Sequence, residues 1–267
     1  MTDRYAVIGN PVTHSKSPWI HREFARATSQ DLEYIRIEAP LDGFLGTVEE
    51  FRALGGKGAN VTLPFKEQAY RYCTEPSAAA RMAEAVNTLV IGEAVVRGEN
   101  TDGSGLLRDV TGNLGRSLPG KAILLLGAGG AARGVLGPLV AAHPAQLVIA
   151  NRTLPKAQEL ARRFGMPVQA RAFESLQGSA FDLIINATSA GLDGAGFQIS
   201  PSVFRKGALA YEMVYGRDTP FLALARACGC ETSDGLGMLV EQAADSFQIW
   251  RGVRPETAGV LGALRAR

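Results

Sequence analysis

Ile123-Leu-Leu-Leu-Gly127-Ala-Gly129-Gly-Ala-Ala132 is an all-apolar strand running into a G-x-G-x-x-A turn and then a helix. Each small residue suits a dinucleotide site. Gly127 permits the tight turn, Gly129 lets the backbone approach a pyrophosphate, and Ala132 allows close helix–strand packing. The helix N-terminus then offers free N–H donors to phosphate. An ordinary tight strand–helix turn uses the same letters, so the neighbouring segments must arbitrate.

The next strand does so. Residues 147–150 end at Asn151-Arg152-Thr153, about 24 residues beyond Gly127 and close to the usual separation. An NAD site normally places Asp or Glu there to hold the ribose 2′-hydroxyl; this chain has no acid, so a 2′-phosphate is not repelled. Arg152 can pair with that phosphate and stack on adenine, Thr153 can donate a hydrogen bond, and Lys156 adds charge one turn on. The pattern predicts NADP. The alternation continues with helix 155–164, strand 181–186, strand 208–212 and helix 220–227, the series of a doubly wound Rossmann-type domain.

Upstream, a second α/β series occupies the first hundred residues. Strand 5–9 precedes Ser17-Pro18, which opens a helix with Ser17 as N-cap and an apolar face of Trp19, Ile20, Phe24 and Ala27. Strand 34–38, helix 43–54 and strand 59–62 follow. Leu63-Pro-Phe-Lys66 starts another helix with proline near its first position. Residues 87–91 and 94–97 form a hairpin around Gly92-Glu93, and a helix runs over 105–114. The domains are therefore 1–102 and 103–236. A final helix presents Leu239, Ala243, Phe247 and Trp250 on one buried face.

Composition fits a soluble globular protein. The 267 residues are 46% hydrophobic, and mean hydropathy is +0.03. With 28 basic and 26 acidic residues the net charge is +2, which implies no broad nucleic-acid face. Residues 122–142 contain Gly130-Ala-Ala-Arg-Gly134, a GxxxG match. A membrane span there would bury Arg133 and hold five glycines and a proline, so strand, turn and helix explain it better. Cys228-Gly-Cys230 is too tight for a zinc knuckle and Cys73 is remote, which points to reduced thiols and a cytoplasmic setting. The three histidines show no metal-ligand spacing.

Polar residues gather at the strand ends of the first domain: Ser15 and Ser17, then Asn60, Thr62 and Lys66, then Asn87 and Asp102. In open α/β sheets ligands bind outside the carboxyl ends of the strands, and these hydroxyls and amides suit a polyhydroxylated substrate. Each has a plainer role as cap, turn or surface residue. Together they suggest a chemistry. Lys66 lies in the first turn of its helix, where the dipole disfavours an ammonium, and Asp102 precedes a helix start, where a carboxylate is favoured. The aspartate could accept a hydrogen bond from an alcohol while the lysine exchanges its proton as hydride leaves carbon.

The chain resembles shikimate dehydrogenases. The matching pieces are Gly9-Asn-Pro-Val-Thr-His-Ser-Lys-Ser-Pro18, Gly58-Ala-Asn-Val-Thr-Leu-Pro-Phe-Lys66, Ala85-Val-Asn-Thr88, Asn100-Thr-Asp-Gly103, Gly127-Ala-Gly-Gly-Ala131, Asn151-Arg-Thr153, Ile185-Asn-Ala-Thr-Ser189 and Asp234-Gly-Leu-Gly-Met238. They run in order over nearly the whole chain. The resemblance is to the NADP-using, biosynthetic branch and implies reversible reduction of 3-dehydroshikimate to shikimate on the route to chorismate. It implies that Lys66 and Asp102 are the catalytic pair. It implies that Ser15, Ser17, Asn60, Thr62, Asn87, Tyr215 and Gln242 hold the substrate. The NADP site would comprise Gly127, Ala128, Gly129, Gly130, Ala131, Asn151, Arg152, Thr153, Lys156, Thr188, Ser189, Met213 and Gly235. The final segment, 237–267, is expected to return to the first domain and bring Gln242 to a cleft between domains. Lys156 stands where an arginine is common, and Glu212 where an aspartate is frequent.

Two alternatives bracket this expectation. A quinate/shikimate or amino-shikimate dehydrogenase would differ in one substituent; Ser15, Ser17 and Thr62 favour shikimate. A non-catalytic NADP-binding sensor would keep the glycine turn and Arg152 but need neither Lys66 nor Asp102. The expected partners are small molecules, with no nucleic acid or membrane, and the working form is a monomer or homodimer.

Overall fold

The computed structural model of the chain describes residues 2–188 and 199–266. They divide into two compact units, Met1–Leu106 with Leu239–Arg267, and Leu107–Met238.

The first unit begins β1 (Asp3–Gly9), α1 (Ser17–Ala27), β2 (Leu32–Glu38), α2 (Phe44–Ala53), β3 (Gly56–Val61) and α3 (Lys66–Tyr72). It continues β4 (Glu75–Pro76), α4 (Ala78–Ala83), β5 (Thr88–Ile91), β6 (Val96–Glu99) and α5 (Asp102–Arg108). The sheet order is β2-β1-β3-β5-β6-β4. β1 is parallel to both β2 and β3, whereas β5 is antiparallel to β3 and to β6. The strand order reverses at β1, so the carboxyl ends of β1 and β3 flank a natural ligand crevice. On one face Phe44, Val48, Phe51 and Phe65 bury against Ala6, Ile8, Ala59 and Val61. Each such large side chain contributes roughly 1.5–3 kcal/mol on burial. The other face collects Tyr5, Val7, Val12 and Tyr34, with Trp250 packed on them.

Local chemistry moved several boundaries. Ser17 is not the N-cap of α1: Lys16 occupies that position, and the Ser15 hydroxyl accepts the Ser17 amide at 3.3 Å. A serine two residues back makes a local turn that takes over the capping role. Pro64 lies outside α3, after a cis Leu63–Pro64 bond, and Phe65 is the N-cap. The β5–β6 connection spans 92–95, closed by Gly92 N–H donating to the Val95 carbonyl at 2.9 Å, so Ala94 and Val95 are loop rather than strand. The helix expected over 105–114 starts at Asp102 and passes into a turn of π-helix, Asp109–Asn113.

The second unit runs β7 (Ala122–Leu126), α6 (Gly130–Ala141), β8 (Gln146–Ala150), α7 (Leu154–Phe164) and β9 (Val168–Arg171). Then come β10 (Phe181–Asn186), β11 (Phe204–Glu212), α8 (Pro220–Ala227) and β12 (Glu231–Ser233). All its strand pairings are parallel, and the order β12-β11-β10-β7-β8-β9 is that of a doubly wound nucleotide fold. β7 sits at the centre, with Ile123 to Leu126 fully buried, as a strand covered on both faces requires. The Gly130–Gly134 pair lies in α6. Among the described residues no helix is long and apolar enough to cross a membrane.

The chain returns through α9 (Leu236–Arg251) and α10 (Ala258–Arg265). Both unit boundaries fall inside helices, one in α5 and one in α9. Within the first unit α5 and α9 touch backbone to backbone. A Cβ built on Gly105 would lie 2.7 Å from Gln242 Cβ and 2.8 Å from its amide nitrogen. Phe247 meets Phe24 edge-on at 5.8 Å, and the Trp250 indole N–H donates to the Leu89 carbonyl at 2.9 Å. Arg254 folds back to pair with Glu241 at 2.6 Å and Asp245 at 3.1 Å.

Candidate active site

In the first unit the loops after β1, β3 and β6 and the start of β5 converge. Gly9, ending β1, stands so close to Thr62, just past β3, that a side chain there would overlap the threonine methyl. Ser15 lies on the loop after β1, where its carbonyl accepts from Arg36 Nε at 3.0 Å. Ser17 is buried at the start of α1.

Lys66 is the first residue of α3 and Asp102 the first of α5. Their Nζ and Oδ2 are 2.5 Å apart, with side chains only 15% and 6% exposed. Asn87 Nδ2 donates to the other carboxylate oxygen, Oδ1, at 2.9 Å, and the Asp102 amide donates to Asn100 Oδ1 at 3.1 Å. The carboxylate is therefore fixed in position, with an ammonium on one oxygen and an amide on the other. An alcohol or ketone oxygen reaching this pair would meet a proton donor and a hydrogen-bond acceptor together.

Behind the pair runs a buried polar network. Asn87 Oδ1 accepts from the Thr101 amide and the Thr88 hydroxyl, both at 2.9 Å. Gln242 Oε1 accepts from Asn87 Nδ2 at 3.3 Å, and the Thr101 hydroxyl donates to the Gln242 carbonyl at 3.1 Å. Asn60 Nδ2 donates to Ser246 Oγ at 2.9 Å and to Thr88 Oγ1 at 3.1 Å. Such networks are rigid when every member is satisfied. Asn60, Asn87, Asp102, Lys66 and Gln242 are thus brought together. Tyr215 is in the other unit, half-buried on the turn after β11.

The second unit's residues lie at the carboxyl ends of its strands. Gly127, directly after β7, has φ +110°, a conformation that side chains resist. The ideal Cβ position there is 3.0 Å from the Ala187 carbonyl and 3.1 Å from the Thr188 methyl. The glycine turn and the end of β10 therefore meet at the point where strand order reverses. Gly129 is the N-cap of α6 and brings no side-chain cap, which leaves the first amides open to an anion. Ala128, Gly130 and Ala131 complete that turn. Thr153 is likewise an N-cap without a side-chain hydrogen bond, at the start of α7. Arg152, Thr153 and Lys156 are exposed around it, and Asn151 Nδ2 braces the loop on the Thr153 carbonyl at 3.0 Å. Two uncapped helix starts, the second ringed by cations, fit a pyrophosphate and a 2′-phosphate.

Thr188 donates to Asn186 Oδ1 through its amide at 3.1 Å and its hydroxyl at 2.7 Å. Met213 N–H donates to the Asn186 carbonyl at 3.0 Å, and Gly235 N–H to the Val214 carbonyl at 3.2 Å. Glu212 ties these loops together. Its buried carboxylate accepts from Asn186 Nδ2 at 2.8 Å, Thr219 Oγ1 at 2.9 Å and the Val214 amide at 3.2 Å. Burial pushes its ionisation up, and the donated hydrogen bonds oppose that shift. Ser189 lies outside the described residues.

Sequence reasoning passed over Thr88, Thr101, Ser246, Asn186 and Arg36 as site builders. Thr88, Thr101 and Asn186 stand inside quoted motifs, beside residues already singled out. Ser246 and Arg36 carry no local signal.

Comparison with known proteins matches these halves separately. Residues 7–89 match the shikimate dehydrogenase substrate binding domain, 110–192 the shikimate / quinate 5-dehydrogenase family, and 235–265 the shikimate 5'-dehydrogenase C-terminal domain. A shikimate dehydrogenase (NADP(+)) of Dechloromonas aromatica is 57% identical over 271 residues, covering 100% of this chain and 99% of its own. The crystal structure of an Ael1 enzyme from Pseudomonas putida superposes with TM-score 0.93 at 48% identity, over 98% of both chains. Shikimate 5-dehydrogenase from Thermus thermophilus, in complex with NADP(H) and shikimate, gives TM-score 0.88 at 33% identity over 99% of both. The fold, the paired Lys66 and Asp102, the glycine turn and these likenesses agree: the chain belongs to the shikimate dehydrogenase family.

Proposed function

We propose that this chain catalyses the reversible, NADPH-dependent reduction of 3-dehydroshikimate to shikimate, on the route to chorismate. The observation that carries it is the 2.5 Å Lys66–Asp102 pair beside the hydroxyl- and amide-bearing loops of the first unit. NADPH, when bound, supplies the hydride. Lys66 gives its proton to the substrate oxygen as that oxygen becomes a hydroxyl, and takes it back in the oxidative direction. Asp102 accepts the hydrogen bond of that hydroxyl and fixes the lysine. Lys66 regains a proton through its solvent-facing edge. Ser15, Ser17, Asn60, Thr62, Asn87, Tyr215 and Gln242 hold the carboxylate and remaining hydroxyls.

We assign substrate binding to 1–102 with 237–267, and NADP to 103–236; the observed unit boundaries at 106/107 and 238/239 support this. Gly127 to Ala131 cradle the pyrophosphate, Asn151, Arg152, Thr153 and Lys156 take the 2′-phosphate, and Thr188, Ser189, Met213 and Gly235 complete the nicotinamide side. We place the chain in the cytoplasm as a monomer or homodimer acting on small molecules; its three free thiols suit that reducing setting.

The test is initial-rate absorbance at the NADPH band with shikimate and quinate, each against NADP and NAD. Fast reduction of NADP with shikimate alone is expected. Equal turnover of quinate, or preference for NAD, would overturn the substrate or cofactor assignment.

A further inference from the structure

Asn60 is held from both ends. The Tyr34 hydroxyl donates to its Oδ1 at 2.7 Å. Its Nδ2 faces three acceptors, the Asn87 carbonyl and Thr88 Oγ1 at 3.1 Å and Ser246 Oγ at 2.9 Å. Two hydrogens cannot serve more than these, so both are spent inside the protein. Turning the amide over would set Oδ1 against the Asn87 carbonyl, two acceptors face to face. The network therefore admits one orientation. What Asn60 has left to offer is the second lone pair of Oδ1.

We infer that Tyr34 is a positioning residue that, with the Asn87 carbonyl, holds Asn60 as an acceptor only, so that the substrate group read there must be a hydrogen-bond donor, which on shikimate is a hydroxyl. A carbonyl, ether or fluorine at that place would meet a lone pair with no proton between. This rests on Asn60 as a substrate contact, as proposed above.

Tyr34 is built to keep this role. It lies in β2, is 9% exposed, and stacks on His21 with ring centroids 4.2 Å apart and planes 6° from parallel. Trp250 closes the same pocket at 6.2 Å. Ser17, a second proposed substrate contact, also interacts with the phenol oxygen. Burial drives the phenol's ionisation far up, so it stays a donor at working pH.

The experiment compares wild type with Tyr34→Phe, which keeps the ring, its stacking and its volume. Substrates are shikimate and its deoxy and fluoro analogues at each hydroxyl other than the one oxidised. In wild type, one position should lose about 10–100-fold in kcat/KM on deoxygenation, and as much with fluorine. Tyr34→Phe should raise the shikimate KM about 3–10-fold, with kcat within about twofold and the NADP KM unchanged, and shrink that same analogue penalty. Analogue penalties identical in both proteins would reduce Tyr34 to a structural residue and overturn the proposal. A wild type that accepts every fluoro analogue like shikimate would overturn it without any variant. Unchanged shikimate KM in Asn60→Ala would instead remove the substrate contact on which it rests.

Discussion

Lys66 Nζ sits 2.5 Å from Asp102 Oδ2, each residue opening a different helix and each largely shielded from water. Lys66→Met should lower kcat by about 10²–10⁴-fold, the usual worth of a positioned acid–base group, and change the shikimate KM far less. It also strands a buried carboxylate, which costs about 3–5 kcal/mol. The double variant Lys66→Met/Asp102→Asn should therefore unfold at higher denaturant than Lys66→Met alone. Steady-state kinetics and urea melts check both; turnover retained in Lys66→Met would remove the lysine from its role.

Arg152 stands exposed beside the uncapped start of α7. Arg152→Glu should raise the KM for NADP by at least about tenfold while moving that for NAD little, because the new charge repels only the 2′-phosphate. The contrast should narrow with added salt. Equal effects on the two cofactors would place the phosphate elsewhere.

Gly105 has no room for a side chain against Gln242. Gly105→Ala must push α9 away from α5, at about 1–3 kcal/mol. Because Gln242 and Ser246 ride on α9, the shikimate KM should rise together with the loss of stability. Thermal melts and shikimate titration of the same sample are the check. An unchanged KM in a destabilised variant would uncouple the helix crossing from the site.

His21 is fully buried among aromatic rings, and burial lowers its pKa to about 3, a loose Asn60 interaction opposing the shift. Neither ring nitrogen meets a partner, Asn60 included, at good hydrogen-bond geometry. The unfolded chain protonates near 6.5, so between about 6.5 and 3 it binds the proton that the fold refuses. Stability is then full above pH 6.5 and falls as the pH drops, by about 1.4 kcal/mol per unit from this group. His21→Phe should lack that slope and exceed wild type by about 2–3 kcal/mol more at pH 4.5 than at pH 7. Denaturant melts at the two pH values decide it; parallel acid losses would show that His21 already carries a proton.

Much of the second unit was legible because its strands are covered on both faces. Such strands are continuously apolar, and β7 adds a glycine turn at its end. The expected strand 181–186 and helix 220–227 agree with β10 and α8 to the residue. The edge strands β4, β9 and β12 were missed: each is four residues or fewer with no apolar run. Lys66 and Asp102 were legible as chemistry only together, since each alone reads as a surface lysine or a capping aspartate. The amide network was not. Asn60 meets Thr88 and Ser246 across separations of 28 and 186 residues, and a buried hydroxyl looks like any other serine until its partners are placed. Glu212 was noted only as a departure; its length lets one carboxylate reach Asn186, Thr219 and the Val214 amide together.

The helical crossings inside α5 and α9 have a consequence for synthesis. Growing from its amino end, the chain finishes residues 107–238 while the first unit still lacks α9. Until that helix leaves the ribosome, Asn60 and Asn87 have no Ser246 or Gln242 to bond, and Phe24 has no Phe247 to pack on. The second unit can fold from contiguous sequence; the first has to wait. A chain cut short before α9 would keep the second unit's fold without the finished polar network of the first, so α9 completes that network only after the second unit has been made.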